Sequence, residues 1–113
     1  MKFKALVIDI DGTITCKNRE LHLGAVKKMR TLNVPVVLAT GNILCYARTA
    51  SRLIGLGGAV IAENGGAVTV RYDVNGIFEG SLEECEKAFS FLSQHFKLTK
   101  LDPTYRKTEI ALR

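Results

Sequence analysis

Residues 5–13 read ALVIDIDGT, an apolar run that ends on two carboxylates two positions apart. Because side chains alternate along a strand, Asp9 and Asp11 are expected to point the same way where the strand stops. Gly12 then lets the chain turn sharply. Two carboxylates this close are costly unless something cationic uses them. The stretch therefore predicts a buried strand that carries a metal site and acid–base chemistry at its carboxyl end.

The pattern around this stretch alternates strands with helices. Apolar runs predict strands over residues 3–8, 34–39 and 58–62, and amphipathic spacing predicts helices over residues 21–32 and 43–53. Strands that are apolar throughout favour a parallel sheet covered by helices on both faces. The predicted fold class is therefore α/β.

Three polar turns follow the three predicted strands, with the sequences DIDGT, TGN and ENGG at residues 9–13, 40–42 and 63–66. In open α/β sheets, ligands bind beyond the carboxyl ends of the strands, so the three turns are expected to share one rim. Thr40 and Asn42 also suit a helix N-terminus, which attracts anions. Residues 13–20 predict a loop or a small flap beside this rim.

From residue 67 onward the pattern changes. Residues 67–72 and 76–79 predict two strands of a hairpin with an Asn-Gly turn. Ser81, followed three residues later by a glutamate, is typical of a helix N-cap, and a strand is predicted from residue 107. The expected units are residues 1–80 and residues 81–113.

Composition narrows the class of partner. The 113 residues include 16 Lys and Arg against 11 Asp and Glu, a net charge of +5 that suits an anionic substrate. The basic residues are scattered, so we expect no nucleic-acid binding. Three cysteines without a CxxC or Cys/His cluster argue against zinc and favour a reducing, cytoplasmic location, with Cys45 and Cys85 as buried apolar fillers. No apolar stretch approaches the roughly 18 residues of a membrane span.

Residues 7–15, VIDIDGTIT, closely resemble the first motif of the haloacid dehalogenase superfamily. The resemblance implies a partial Rossmann-like core followed by the beginning of an α+β cap. It implies that Asp9 is the nucleophile that forms an aspartyl-phosphate, and that Asp11 protonates the leaving alkoxide and then activates water. Mg²⁺ would be held by Asp9 and by the backbone carbonyl of Asp11. Aspartate rather than threonine at position 11 implies a phosphatase rather than a transport ATPase.

The other two turns also resemble motifs of this superfamily. Residues 37–42, VLATGN, look like the second motif, which implies that Thr40 and Gly41 bind the phosphoryl group. The asparagine at position 42, Asn42, resembles the residue that the archaeal phosphoglycolate phosphatase branch carries after the Thr-Gly pair. Residues 62–66 are similar to the turn of the Cof-type, type IIB cap subfamily. In that turn Asn64 would face the substrate. Glu63 is expected either to take part in the site or, equally, to hold the loop together. The implied substrate is a small phosphorylated metabolite, either 2-phosphoglycolate or a sugar phosphate.

Two later motifs of the superfamily are missing from the sequence: a phosphate-binding lysine after the cap and an acidic Gly-Asp-x-x-Asn-Asp motif. Lys97, Lys100 and Lys107 fall in or near the expected cap and are no substitutes. We therefore expect a truncated chain, a proteolytic fragment or a prematurely ended reading frame that is inactive alone. Its first strand would present an open apolar edge, which predicts self-association or pairing with the missing half.

Two interpretations from other classes stay open. One is a non-enzymatic phosphate-binding or interaction module that keeps half of the fold. The other is a receiver domain like those of response regulators, which also uses a strand-end aspartate with magnesium. A receiver needs its acidic pair and its phospho-acceptor on different strands, which fits poorly with Asp9 and Asp11 on one strand end.

Overall fold

The first five strands of the described part of the chain form one sheet whose strand order follows the sequence. The computed structural model describes residues 2–113. The strands are β1 (Leu6–Asp9), β2 (Val36–Ala39), β3 (Val60–Ala62), β4 (Ala67–Thr69) and β5 (Ile77–Phe78). The first three are parallel, and β4 and β5 are antiparallel additions. The predicted α/β class and the hairpin after residue 67 are confirmed.

The first helix is shorter than the sequence predicts, whereas the second has the predicted length. They are α1 (Leu23–Met29), α2 (Leu44–Ile54) and α3 (Leu82–Leu92). The His22 Nδ1 atom accepts a hydrogen bond from the Ala25 amide at 3.2 Å, so α1 starts after a histidine cap. The Ser81 hydroxyl caps α3 as predicted, accepting from the Glu84 amide at 3.2 Å. No helix in residues 2–113 is long and apolar enough to cross a bilayer.

The buried core lies between the sheet and α2 and continues under the first turn. Leu38 and Val60 from the strands are fully buried, and so is Ala47 from α2. Ile10 and Ile14, which follow β1, are 0% and 1% exposed. Burial of one such side chain stabilises the fold by roughly 2–3 kcal/mol. These two isoleucines therefore anchor the loop that carries the aspartates.

The first strand differs from the buried strand that the sequence predicts. Within residues 2–113, β1 pairs with β2 alone. Val7 on this strand is 56% exposed, while Leu6 and Ile8 are half-buried. The predicted open apolar edge is thus present.

The cysteines are less buried than the sequence predicts. Cys45 is exposed, because the buried face of α2 runs through Ala47, Ser51 and Ile54, and Cys85 is half-buried.

The segment after α3 is less regular than predicted. The expected strand over residues 107–112 is reduced to β7 (Ala111–Leu112), which pairs with β6 (Lys100–Leu101) in a separate antiparallel ribbon. The Lys107 and Thr108 amides cannot join a ladder because they donate to the Glu63 carboxylate. The division between residues 1–80 and 81–113 stays a prediction.

Candidate active site

The first turn holds both aspartates at the mouth of one cavity. The amides of Thr13, Ile14 and Thr15 all donate to the Ile10 carbonyl, at 3.1–3.3 Å, and fold the turn back over this buried residue. Gly12 has φ +81°, which a residue with a Cβ rarely adopts. Asp9 and Asp11 line an open cavity of about 470 Å³. The Asp9 Oδ2 atom accepts from the Thr13 hydroxyl at 2.9 Å, so the Oδ1 atom is available for other chemistry.

The second turn, at the end of β2, lines the same cavity with Thr40, Gly41 and Asn42. Thr40 is 6% exposed, and its hydroxyl lies 3.4 Å from the Asp11 Oδ2 atom, to which it donates. The same hydroxyl oxygen accepts from the Asn42 amide at 3.0 Å. The Asn42 Oδ1 atom accepts from the Ile43 amide at 2.8 Å, which caps the approach to α2. The turn therefore places a hydroxyl and the Gly41 amide beside the two carboxylates.

A tyrosine that the sequence analysis missed completes the surroundings of Asp11. The Tyr46 hydroxyl donates to the Asp11 Oδ1 atom at 3.3 Å, while Thr40 donates to the other oxygen. Burial raises the pKa of Tyr46, the Asp11 carboxylate raises it further, and Arg19 lowers it. One hydroxyl on each oxygen thus holds the Asp11 carboxylate in place. The only sequence signal for Tyr46 was its position within the predicted helix over residues 43–53.

The third turn supports the second from behind. Asn64 has φ +53° and donates from its Nδ2 atom to the Glu109 Oε2 atom at 2.9 Å. Its Oδ1 atom would lie only 2.7 Å from a Cβ at position 41, so a side chain at that position would have to displace the Asn64 amide. Asn64 is not among the residues that line the cavity of the aspartates. Its contact with substrate stays a prediction.

A buried ion pair after β6 joins the second and third turns. Arg106 is 7% exposed and donates from its Nη1 atom to the Gly41 carbonyl at 3.0 Å and to the Glu109 carboxylate. Glu109 in turn accepts from Asn64. Since a buried cation must be paired, Arg106 and Glu109 hold the second and third turns in one arrangement. Sequence spacing alone could not have found contacts this distant along the chain.

Glu63 fastens the same segment to the sheet. It is 2% exposed, and its Oε2 atom accepts from the Lys107 amide, the Thr108 amide and the Thr108 hydroxyl at 2.9, 2.9 and 2.7 Å. The Oε1 atom is buried and has no hydrogen-bond partner within residues 2–113. Glu63 therefore holds the loop together, as one of the two sequence interpretations expects.

Removing this carboxylate should loosen the return segment. We expect Glu63→Ala to lower the free energy of unfolding by about 3 kcal/mol, because it strands buried donors at Lys107 and Thr108. Glu63→Gln keeps one acceptor oxygen and should cost much less. Urea denaturation gives the stabilities, and hydrogen exchange at the two amides locates the effect. Equal stability of Glu63→Ala and the unchanged chain would contradict this assignment.

The loop after the first turn forms a small flap over the cavity, at residues 15–21. Thr15 pairs with Leu21, and the Cys16 amide donates to the Glu20 carbonyl at 2.7 Å. The Arg19 amide donates to the Cys16 carbonyl at 2.9 Å. Lys17 and Arg19, at the tip, line the cavity together with the aspartates. The flap predicted from the sequence is thus present and brings two cations to the site.

The donor set of the site fits magnesium. Asp9 and Asp11 offer hard oxygen ligands on one cavity wall. Magnesium in phosphoryl-transfer sites commonly takes one or two protein carboxylates and completes its shell with water and phosphate oxygens. The described residues contain no group of three or more His, Cys, Asp or Glu side chains close enough to hold a metal. Any third acidic ligand would therefore have to come from outside residues 2–113.

Comparison with known proteins finds the same family that the motifs of the sequence resemble. The family model for haloacid dehalogenase-like hydrolases matches residues 6–105. A Methanosarcina acetivorans protein named phosphoglycolate phosphatase is 88% identical over the whole chain, and a Methanococcoides burtonii protein of the same name is 55% identical over 99% of it. A crystal structure of a Thermoplasma acidophilum protein superposes with TM-score 0.89 at 22% identity over 99% of the chain and 51% of its own length, which establishes the fold. The chain spans about half the length of the curated relatives it matches.

Proposed function

The chain belongs to the haloacid dehalogenase-like hydrolases, and from this premise we propose that it supplies the nucleophile to a Mg²⁺-dependent phosphatase acting on 2-phosphoglycolate. One observation carries the proposal: two carboxylates and the Thr40–Gly41 turn line a single cavity. The names of the Methanosarcina and Methanococcoides relatives support this substrate. A sugar phosphate is the alternative substrate.

The first half of the proposed reaction transfers the phosphoryl group to Asp9. The Asp9 Oδ1 atom attacks phosphorus, and the bond from phosphorus to the glycolate oxygen breaks. Asp11 gives its proton to the departing alkoxide, which leaves as glycolate. The Thr40 hydroxyl and the Gly41 amide bind phosphoryl oxygens during this step. Tyr46 holds Asp11 in place during this step, while the Thr40 hydroxyl turns from Asp11 to the phosphoryl group.

The second half releases phosphate. Asp11, now a carboxylate, takes a proton from water, whose oxygen attacks phosphorus as the bond to Asp9 breaks. This step restores the proton on Asp11 and the free carboxylate on Asp9. A bound Mg²⁺, held by Asp9 and the Asp11 carbonyl, would offset the repulsion between the carboxylate and the phosphate.

We expect the site to need more protein than residues 1–113. Fusing the chain to the remaining half of the Methanosarcina acetivorans relative should give a chimera that hydrolyses 2-phosphoglycolate with Mg²⁺, while the chain alone should be at least about a thousandfold slower. The remaining half alone is the matched control. Phosphate release is the measurement, and circular dichroism verifies folding. Full activity of the isolated chain would contradict the requirement, and a folded but inactive chimera would favour a phosphate-binding module.

The open edge of β1 suggests how two halves would meet. We propose that this edge, with Val7 56% exposed, is covered either by the remaining half of the protein or by a second copy. Adding the remaining half as a separate chain should then restore turnover. Sedimentation of the chain alone distinguishes a dimer from a monomer.

The free thiols of Cys16, Cys45 and Cys85 support the proposal that the reaction takes place in a reducing, cytoplasmic compartment.

A further inference from the structure

The tip of the flap has an unusual residue at a position that favours glycine. Cys16 and Glu20 close a hairpin around a three-residue loop, and the last loop residue, Arg19, has φ +68°. Such loops place that residue in the left-handed region, where glycine is preferred. A side chain with a Cβ costs roughly 1–2 kcal/mol there. Backbone strain of this kind concentrates at functional sites.

Arg19 stands in the cavity without a local partner. It lines the cavity with Asp9, Asp11 and Thr40, and its positive charge lowers the pKa of the Tyr46 hydroxyl. Among residues 2–113 its side chain forms no ion pair. An ion pair within the described residues therefore does not explain the strained backbone of Arg19. What Arg19 does provide is an exposed cationic side chain at the cavity of the two aspartates.

The charges of the cavity leave one part of the proposed substrate unmatched. The Thr40–Gly41 turn receives the phosphoryl group, but a carboxylate on the leaving group would meet the negative charges of Asp9 and Asp11. Arg19 and Lys17 are the cations that line this wall. A guanidinium binds a carboxylate through two parallel hydrogen bonds, whereas an ammonium acts as a point charge. We propose that Arg19 binds the carboxylate of the substrate and so selects carboxylated phosphomonoesters; this role rests on the proposed function.

Substitution by glycine separates substrate recognition from folding. In the chimera, Arg19→Gly should lower the ratio of kcat/KM for 2-phosphoglycolate to that for p-nitrophenyl phosphate by about tenfold to a hundredfold, mainly through KM for 2-phosphoglycolate. The melting temperature should hold, because glycine adopts φ +68° without strain. Arg19→Lys should give an intermediate ratio. Lys28→Gln, which removes an exposed cation of α1, should leave the ratio unchanged.

The outcomes distinguish this proposal from the one on which it rests. An unsubstituted chimera that prefers 2-phosphoglycolate, with the same ratio in Arg19→Gly, overturns the role of Arg19 alone. Equal losses on both substrates also overturn it, since Arg19 would then act on the common chemistry. An unsubstituted chimera that hydrolyses p-nitrophenyl phosphate but ignores 2-phosphoglycolate overturns the proposed substrate and the role of Arg19 with it.

Discussion

Asp9→Asn is expected to lower kcat of the chimera for 2-phosphoglycolate by at least about a thousandfold. An amide cannot attack phosphorus as a carboxylate does, and loss of a covalent nucleophile is among the largest single effects in enzymes. The fold should survive, because Asp9 is exposed and an asparagine oxygen can still accept from the Thr13 hydroxyl. Phosphate release under saturating substrate measures the effect.

The control for this experiment is an aspartate outside the cavity. Asp73 pairs with Arg71 in the exposed loop between β4 and β5 at 3.3 Å, so Asp73→Asn should change kcat less than twofold, roughly the experimental scatter. Rapid acid quenching with labelled substrate should trap phosphate on the unsubstituted chimera and on Asp73→Asn but not on Asp9→Asn. Residual turnover of a tenth or more in Asp9→Asn would exclude Asp9 as the nucleophile.

Asp11→Asn should give an effect that depends on the leaving group. With 2-phosphoglycolate we expect kcat to fall by about a hundredfold to ten-thousandfold, because the glycolate alkoxide needs a proton as it leaves. The p-nitrophenolate ion leaves without one, so its release in the first step should be much less affected. The second step still lacks its base. An initial burst of p-nitrophenolate equal to the enzyme concentration should therefore precede slow turnover.

The position of Asp11 makes this test specific. Its proposed contact with Mg²⁺ uses the backbone carbonyl, which asparagine retains. Tyr46→Phe removes the hydroxyl 3.3 Å from the Asp11 Oδ1 atom and keeps the carboxylate, so it should lower kcat by less than about tenfold and show no burst. Equal losses with both substrates in Asp11→Asn, without a burst, would exclude the proposed proton transfer.

The part of the site that the sequence predicts well is local. The end of β1 at Asp9, the buried Ile10 and the turn at Gly12 are properties of neighbouring residues, and together they place both aspartates. The same holds for Thr40, whose position follows from where β2 ends. Because parallel strands end on a common rim, topology brings these two turns into one cavity without any long-range information.

The contacts that the sequence could not predict join distant residues. Tyr46 meets Asp11 across 35 positions, Glu63 meets Thr108 across 45, and Arg106 meets Gly41 across 65. No periodicity encodes such pairs, since each depends on how separate elements pack. The strand predicted from residue 107 begins only at residue 111 for this reason: the Glu63 carboxylate takes the amides that a ladder would use at residues 107 and 108.

The order of the strands also bears on how the protein is synthesised. Each strand of the sheet pairs with the strand just before it in the chain, so each pairing can form as soon as the next strand has been made. The sheet can therefore assemble from β1 to β5 as the nascent chain leaves the ribosome. Throughout that time β1 keeps one unpaired edge, and neighbouring ribosomes on one messenger carry identical edges close together. Translation is consequently a stage at which this fold is exposed to pairing between copies.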